Sequence, residues 1–277
     1  MKLNNTYILF DSGKTADRED WAKAHAAVST AIRAMRWPDN ETAESFRIPR
    51  IVTIRRNETY TDEKGSAKTV TRPEGKTLRN GVRPLRDQFR RRLVSAEWRA
   101  EQPMELSEYF GKLRKAGLLT SFVKYPAATE IIKDELLNEN VGDFDFWFKT
   151  RNGFRTVVEW ETGNISSSHR SLNKMCLALM GDLADAAVLI VPSTKLYPHL
   201  TDRIGNIREL QPYFYFWRMV GTLSKAGLLC VIEVEHDELF DSKDCREFVP
   251  TGSDGNSRRS KKAKRGSPPK KRSPKKR

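Results

Sequence analysis

The sequence has no long apolar run. Its 277 residues contain no apolar stretch of the roughly 18–20 residues that a transmembrane helix requires. The apolar patch from Tyr7 to Phe10 is too short for the core of a signal peptide, and no small-residue cleavage site follows it. We therefore expect a cytoplasmic protein that does not bind a membrane.

Cysteine is also scarce. The three cysteines, Cys176, Cys230 and Cys245, are far apart, and the sequence contains no C-x-x-C pair. An odd number of cysteines at this spacing argues against a disulfide framework and against a zinc site. Cys176 falls among apolar residues at helical spacing, so we expect it in the core.

Acidic residues are absent from segment 258–277, which contains twelve of the 50 lysines and arginines. Of the formal net charge of +14, this tail contributes +12. The rest of the chain has a net charge of only +2, so its acidic and basic residues are nearly equal in number. Its low apolar content predicts disorder. A basic tail favours polyanions such as nucleic acid through counterion release, although a tail that only aids solubility has the same composition.

Apolar periodicity and turn residues divide the rest of the chain. Apolar spacings of three and four predict helices over 19–36, 83–100, 104–118, 126–139 and 166–180. Alternating or continuous apolar residues predict strands over 144–150, 156–160, 186–191 and 228–234. The polar segment 57–80 is expected to form an exposed loop or ribbon. This order predicts an α/β fold with a central mixed β-sheet flanked by helices.

Two glutamates stand at the end of the second predicted strand. Glu159 and Glu161 are two positions apart, so both carboxylates lie on one side of the strand and Trp160 lies on the other. Two acids on one face repel each other unless water or a cation lies between them. A strand end that emerges into solvent would show the same pattern, so the pair alone leaves metal binding open.

The preceding strand contributes two more acids, Asp143 and Asp145. If residues 151–153 form a three-residue turn with the glycine in the left-handed conformation, Asp145 pairs with Glu159 and Asp143 pairs with Glu161. A two-residue turn would shift the register by one and separate the acids. Four carboxylates on one face would suit a hard cation such as Mg²⁺ and, with a DNA partner, metal-assisted hydrolysis of a phosphodiester.

Residues 159–174, EWETGNISSSHRSLNK, closely resemble the active-site region of the BamHI-type restriction endonucleases. Other stretches also resemble this family and occur in the same order as in the family, at 80–85, 98–106, 200–203, 209–214 and 252–255. The resemblance runs from about 37 to 260; its first motif is long and specific, whereas the others are weak alone. It implies the mixed-sheet fold of many restriction enzymes, with a single catalytic and DNA-binding domain over 1–257 and the tail 258–277.

The resemblance also implies a catalytic set. Asp145 resembles the family's metal-bridging aspartate and Glu159 resembles its second metal ligand, with Mg²⁺ as the expected ion. Glu161 stands where most relatives of the wider nuclease fold have lysine, and is expected to orient or deprotonate the attacking water. Glu101 matches a further catalytic acid that approaches the metal, and is expected at the end of the helix predicted over 83–100.

Two departures from the family pattern affect these assignments. The stretch between Glu101 and Asp145 is longer than in the family, which predicts a helical insertion over about 106–139. The connection between Asp145 and Glu159 is shorter, which leaves Asp143 as an alternative bridging ligand. Asp145 is preferred because residues 144–147, FDFW, best match the family's apolar-Asp-apolar-aromatic run.

The resemblance implies a homodimer that reads a palindrome in double-stranded DNA, with one cutting centre for each strand. The positions that match the family's DNA contacts are Asn164, Ser166, Arg170, Asp202, Arg203, Asp254 and Gly255. The arginine of the 202–203 pair would donate to guanine and the aspartate would accept from cytosine, although a surface ion pair has the same sequence. His169 lies inside a predicted helix and is expected to pack rather than to act as a base.

If every one of these DNA-contacting residues keeps its role, the resemblance implies a type II restriction endonuclease that cuts GGATCC after the first G and leaves 5′ overhangs. It also implies a partner methyltransferase. The alternatives are a DNA-binding protein that keeps the scaffold without cutting, and a repair nuclease. Carboxylates that face phosphates repel them and benefit only an enzyme that cuts, which disfavours the first alternative. The intact set of base readers disfavours the second.

Overall fold

The computed structural model describes residues 1–40, 42–53, 59–62, 64–69, 77–93, 98–102, 122–123, 131–132, 142–201 and 204–251. The strands are β1 (Lys2–Ser12), β2 (Arg47–Pro49), β3 (Val52–Thr53), β4 (Thr59–Thr61), β5 (Ala67–Thr69), β6 (Thr77–Leu78), β7 (Trp98–Gln102), β8 (Phe122–Val123), β9 (Ile131–Ile132), β10 (Phe144–Lys149), β11 (Arg155–Trp160), β12 (Ala186–Pro192), β13 (Gly227–Glu235) and β14 (Glu238–Phe240). The α-helices are α1 (Glu19–Arg33), α2 (Arg83–Leu93), α3 (Ile165–Met180), α4 (Ile207–Leu210) and α5 (Phe214–Val220), and short 3₁₀ turns lie at Thr15–Asp17, Tyr197–His199, Gln211–Tyr213 and Gly221–Leu223.

The central sheet has six strands in the order β1-β13-β12-β11-β10-β7. Strands β11, β12 and β13 are parallel, whereas β1, β10 and β7 pair antiparallel with their neighbours. This arrangement confirms the predicted mixed sheet. Within the described part of the chain, every helix is too short or too polar to span a membrane.

The two faces of the sheet bury separate apolar clusters, because alternate residues of each strand point to opposite faces. Val188 and Ile190 belong to the cluster that packs on α1 and α2, whereas Ala187 and Leu189 belong to the cluster that packs on α3 and α5. Strand β12 lies between two parallel strands and is buried along its whole length. A strand covered on both faces is apolar throughout, as its continuous run predicts.

Helix α3 forms where the sequence predicts it. The side chain of Asn164 caps its first turn by accepting a hydrogen bond from the Ser167 backbone N–H, and Gly181 follows its last residue. Leu172, Met175, Cys176 and Leu179 are buried against the sheet, at the predicted 3.6-residue spacing. The prediction that Cys176 lies in the core is therefore confirmed.

The hairpin between β10 and β11 has the three-residue turn. Gly153 has a φ of +85°, its N–H donates to the Thr150 carbonyl at 3.0 Å, and the Thr150 N–H donates to the Phe154 carbonyl at 2.9 Å. Phe146 then pairs with Val158. One step further along this register, Asp145 is opposite Glu159, as the three-residue turn predicts.

The helix predicted over 83–100 is wrong at its C-terminal end. Helix α2 ends at Leu93, and Trp98–Gln102 forms strand β7, the edge strand that pairs with β10. Trp98 stacks on Phe148 of β10, with ring centroids 4.8 Å apart. Pairing with a distant strand overrides the helical spacing here, so Glu101 lies on a strand and not at a helix end.

Two further differences concern strands β9 and β1. Strand β9 falls inside the helix predicted over 126–139, so that prediction is wrong at Ile131–Ile132. Strand β1 was not predicted, because most of its residues are polar and at least partly exposed. The predicted helix 104–118, most of the insertion 106–139 and the tail 258–277 lie outside the described residues.

Candidate active site

A cleft lies where β10 begins, where β11 ends and where α3 packs across both. Asp143, Asp145, Glu159 and Glu161 line it from the strand side, and Arg170 and Lys174 line it from the helix. The antiparallel hairpin brings the start of β10 next to the end of β11, which explains why acids far apart in sequence meet here.

Asp145 is held against the end of β11. Its Oδ2 accepts a hydrogen bond from the Trp160 backbone N–H at 2.9 Å, and its Oδ1 lies 3.6 Å from Nη1 of Arg86 on α2. The carboxylate is therefore oriented from two sides. Asp143 precedes the strand and is exposed, and its backbone carbonyl accepts a hydrogen bond from Lys174. This difference supports Asp145 over Asp143 as a fixed metal ligand.

Glu159 is buried, with 8% of its surface exposed. Burial raises its pKa to about 7, the ammonium of Lys174 opposes this rise, and the negative charges of Asp145 and Glu161 add to it. Its Oε1 accepts a hydrogen bond from Lys174 Nζ. The carboxylate is thus a buried acid whose charged form depends on nearby cations.

Glu161 follows the end of β11 and is 4% exposed. Burial raises its pKa to about 6, while the Ser168 hydroxyl and the backbone N–H groups of Gly163 and Thr162 lower it. Its Oε1 accepts from the Gly163 N–H at 2.6 Å. Its Oε2 is buried and has no hydrogen-bond partner of good geometry among the described residues. Such an acceptor suits a bound water or a cation.

The turn after Glu161 is packed tightly against the loop at 204–206. The Gly205 N–H donates to the Gly163 carbonyl at 3.2 Å, and Asn164 forms an isolated antiparallel bridge with Ile204. A methyl group at Gly205 would lie 1.8 Å from the Ser168 Oγ, so a larger residue would push this loop away from α3. The residues that directly follow position 203 are therefore in contact with the turn after Glu161.

The residues predicted to contact DNA fall into two groups. Asn164, Ser166 and Arg170 are exposed on and just before the first turns of α3, beside the acidic cleft. The other four, Asp202, Arg203, Asp254 and Gly255, lie outside the described residues.

Glu101 lies on the edge strand of the sheet and not at the end of a helix. The backbone of Glu101 lies on β7 between Ala100 and Gln102, whose partners on β10 are Phe146 and Phe144. Glu101 thus lies on the strand next to Asp145.

The ring of His169 packs edge-on against Tyr213, with centroids 4.5 Å apart, and near Trp217. His169 therefore packs, as predicted.

Sequence reasoning missed two cations that contact the acids of this cleft, Arg86 beside Asp145 and Lys174 beside Glu159. Both lie on amphipathic helices among residues that alternate between buried and exposed, where basic residues usually face solvent. Lys174 stands inside the specific motif at 159–174, but only the packing of α3 on the sheet shows that it meets Glu159. No local pattern could have revealed either contact.

The donor set fits a divalent cation. Carboxylate oxygens are the ligands that Mg²⁺, Ca²⁺ and Mn²⁺ prefer, and the cleft contains three partly or fully buried carboxylates, those of Asp145, Glu159 and Glu161. One of their oxygens, Glu161 Oε2, has no hydrogen bond of good geometry among the described residues. Among the described residues, no three His, Cys, Asp or Glu side chains converge into a preformed metal site. The acids line one cleft without closing around a point.

Comparison with known proteins identifies the family. The family model of the restriction endonuclease BamHI matches residues 1–256. The chain is 35% identical over 196 residues to the type II restriction enzyme OkrAI of Oceanobacter kriegii, which covers 68% of this chain and 83% of that enzyme. It is 39% identical over 106 residues to the type II restriction enzyme BamHI of Bacillus amyloliquefaciens, covering 38% of this chain and 45% of that enzyme.

One solved structure, that of the restriction endonuclease BglII complexed with a DNA 16-mer, aligns with a TM-score of 0.47 and 9% identity over 89% of this chain and 88% of that chain. The acidic cleft and the family match over residues 1–256 agree on one class of chemistry. The chain belongs to the BamHI family of restriction endonucleases and is a type II enzyme, a class that acts on double-stranded DNA with a divalent metal ion.

Proposed function

We propose that this enzyme hydrolyses double-stranded DNA at the palindrome GGATCC, cuts after the first G and leaves 5′ overhangs, with Mg²⁺ as its cofactor. The observation that carries the proposal is the shared cleft: Asp145, Glu159 and Glu161 lie beside the exposed start of α3. Asn164, Ser166 and Arg170 of that segment are the positions that resemble the family's major-groove contacts. In this proposal, the residues that cut DNA therefore lie next to the residues that recognise its sequence.

In this proposal the acids have separate roles. Asp145 and Glu159, with Glu101 from the neighbouring strand, hold the metal ion, which when bound polarises the phosphate and activates water. Glu161 orients the attacking water or accepts its proton, because its Oε2 is buried and has no hydrogen bond of good geometry among the described residues. The Gly163 N–H holds the other oxygen of Glu161 in place.

The recognition site is tested by sequencing the ends that the enzyme makes from phage DNA with Mg²⁺. We expect every 5′ end to begin with GATC and every cut to lie in GGATCC, because the readers match the family's contacts. The same digest with EDTA should leave the DNA intact. Ends at any other sequence would rule out the proposed site, and cutting in EDTA would rule out the proposed cofactor.

We also propose that the enzyme acts as a homodimer, since a two-fold DNA site calls for a two-fold protein. Five large apolar residues are exposed on α5 and the turns beside it, including Tyr215 at 73% and Phe216 at 60%. We call these five side chains the apolar patch: Tyr213, Tyr215, Phe216, Met219 and Leu223. Large apolar side chains that are exposed close together in this way often mark a protein interface, so the apolar patch supports a dimer contact here.

Replacing Phe216 with aspartate should convert the dimer into monomers, because it places a charge in the centre of the apolar patch. The mass in solution, measured by light scattering, should fall to about half, and double-strand cleavage should fall with it. Lys149→Asp places the same acid on an exposed strand end and should change neither. A Phe216→Asp protein with the mass of the wild type would contradict the proposed interface.

A restriction enzyme that cuts its host's own sites requires protection of those sites. We therefore propose a partner methyltransferase that modifies the same palindrome. Both the protection of host DNA and the cutting of incoming DNA take place in the cytoplasm, where we expect the enzyme to act.

A further inference from the structure

Lys174 is a buried lysine in the wall of the cleft, 8% exposed on the sheet-facing side of α3. Its Nζ contacts three groups, which lie on β11, on β10 and on the residue just before β10. It forms an ion pair with Glu159 Oε1, donates to the Asp143 backbone carbonyl at 2.5 Å, and lies 4.5 Å from the centroid of the Phe144 ring. One ammonium therefore connects α3 to the start of β10 and the end of β11.

The burial of this ammonium needs an explanation. Taking a lysine out of water is unfavourable unless its charge is paired and its donors are satisfied. Buried ion pairs often contribute little net stability, because desolvation offsets the attraction. A pair of this kind is better explained by the geometry that it fixes, and here it fixes an acid in the cleft.

The contact with Lys174 makes the two carboxylate oxygens of Glu159 different from each other. The ammonium binds Oε1, which leaves Oε2 as the oxygen that can serve a metal ion. The same ammonium holds the Asp143 carbonyl and so keeps the first residues of β10 beside the end of β11. Asp145 lies two positions further along β10, so Lys174 affects the placement of both proposed metal ligands.

We propose that Lys174 is a positioning residue for the metal centre, which orients Glu159 and the start of β10 so that a divalent ion binds. This inference rests on the proposed role of Glu159 as a metal ligand. It does not rest on the proposed recognition sequence. Position 161, where most relatives of the wider nuclease fold have lysine, is glutamate in this chain. A lysine ammonium nevertheless lies beside Glu159, because Lys174 on α3 provides it.

The test measures the binding of Mn²⁺ alone to the full chain by isothermal titration calorimetry. Lys174→Met removes the charge and keeps an unbranched side chain. Partners that orient a metal ligand typically contribute 10- to 100-fold in affinity, so we expect Mn²⁺ binding to weaken by roughly that factor. Lys149→Met, which removes an exposed lysine from β10, is the matched control and should bind Mn²⁺ as the wild type does.

A double-mutant cycle separates positioning from a general effect on the fold. In a Glu159→Ala background, Lys174→Met should cause a clearly smaller loss of Mn²⁺ affinity than in the wild type, because the carboxylate that it contacts directly is gone. DNA binding in EDTA should stay within about twofold of the wild type, since the ammonium of Lys174 is buried and paired with Glu159. If Lys174→Met is unfolded, Lys174→Gln, which keeps a donor for the Asp143 carbonyl, takes its place with the same expected result.

The outcomes are distinct. Unchanged or tighter Mn²⁺ binding by a folded Lys174 variant overturns the proposal, and so does an additive loss in the Glu159→Ala background. Failure of both variants to fold would also overturn it, because the lysine would then be needed for the fold itself. A wild type whose Mn²⁺ affinity depends on Lys174 and Glu159 but that cuts elsewhere than GGATCC supports this proposal and refutes only the recognition site.

Discussion

Replacing Glu159 with alanine should abolish cleavage while DNA binding remains. The metal ion contributes several kcal/mol of transition-state stabilisation, and about 4 kcal/mol corresponds to roughly a 10³-fold loss in rate. Binding to a GGATCC duplex in EDTA should be at least as tight as in the wild type, because one negative charge near the phosphates is removed. Single-turnover cleavage rates and gel-shift affinities provide the two measurements.

The matched control for this prediction is Glu238→Ala. Glu238 is an exposed glutamate on β14, paired with Arg47 and distant in sequence from the acidic motif. Its removal should leave the cleavage rate within about twofold, as expected for a surface ion pair. Cleavage by Glu159→Ala at the wild-type rate would exclude Glu159 as a metal ligand.

Cleavage at low Mg²⁺ should fall steeply as the pH falls below about 7. Burial raises the pKa of Glu159 to about 7 and that of Glu161 to about 6, and a proton on either carboxylate competes with the metal ion or with water activation. We expect up to a tenfold loss per pH unit below about 7, and up to a hundredfold per unit once both groups are protonated. High Mg²⁺ should move the profile to lower pH, because the metal displaces the proton from its ligand.

The same pKa values predict how the metal-free fold responds to pH. A carboxyl whose pKa is raised by folding contributes stability that is present below its unfolded value and lost as the pH rises through its folded value. The melting temperature in EDTA should therefore gain less from Glu159 at pH 8 than at pH 5.5, and added Mg²⁺ should stabilise the protein at pH 8 but hardly at pH 5.5. A cleavage rate at low Mg²⁺ that stays flat from pH 8 to 5.5 would contradict the first expectation, and equal stabilisation by Mg²⁺ at pH 8 and pH 5.5 would contradict the second.

Local sequence predicts the hairpin and helix that carry the site. A glycine that adopts φ +85° at position 153 selects the three-residue turn, and this turn sets the register that brings Asp145 opposite Glu159. Asn164 caps α3 and Gly181 ends it, at the bounds that the spacing of apolar residues predicts. These features depend on neighbours in sequence, so a pattern can reveal them.

The edge of the sheet could not be predicted in the same way. Residues 98–102 have an apolar spacing that also suits a helix, and only the pairing of β7 with β10 and the stacking of Trp98 on Phe148 make them a strand. Strand β1 is similar, because its polar residues become regular only by pairing with β13. Propensity is a weak guide where contacts between distant segments contribute most of the stability.

The sequence by itself determined the mixed sheet, the acidic pair at the end of β11, and the family through the motif at 159–174. Only the tertiary structure placed Lys174 against Glu159, brought Arg86 near Asp145, and packed Gly205 on the turn after Glu161. The physical reason is the range of the interactions. Turns, caps and alternation act between near neighbours, whereas a buried charge finds its partner only after helix and sheet have packed together.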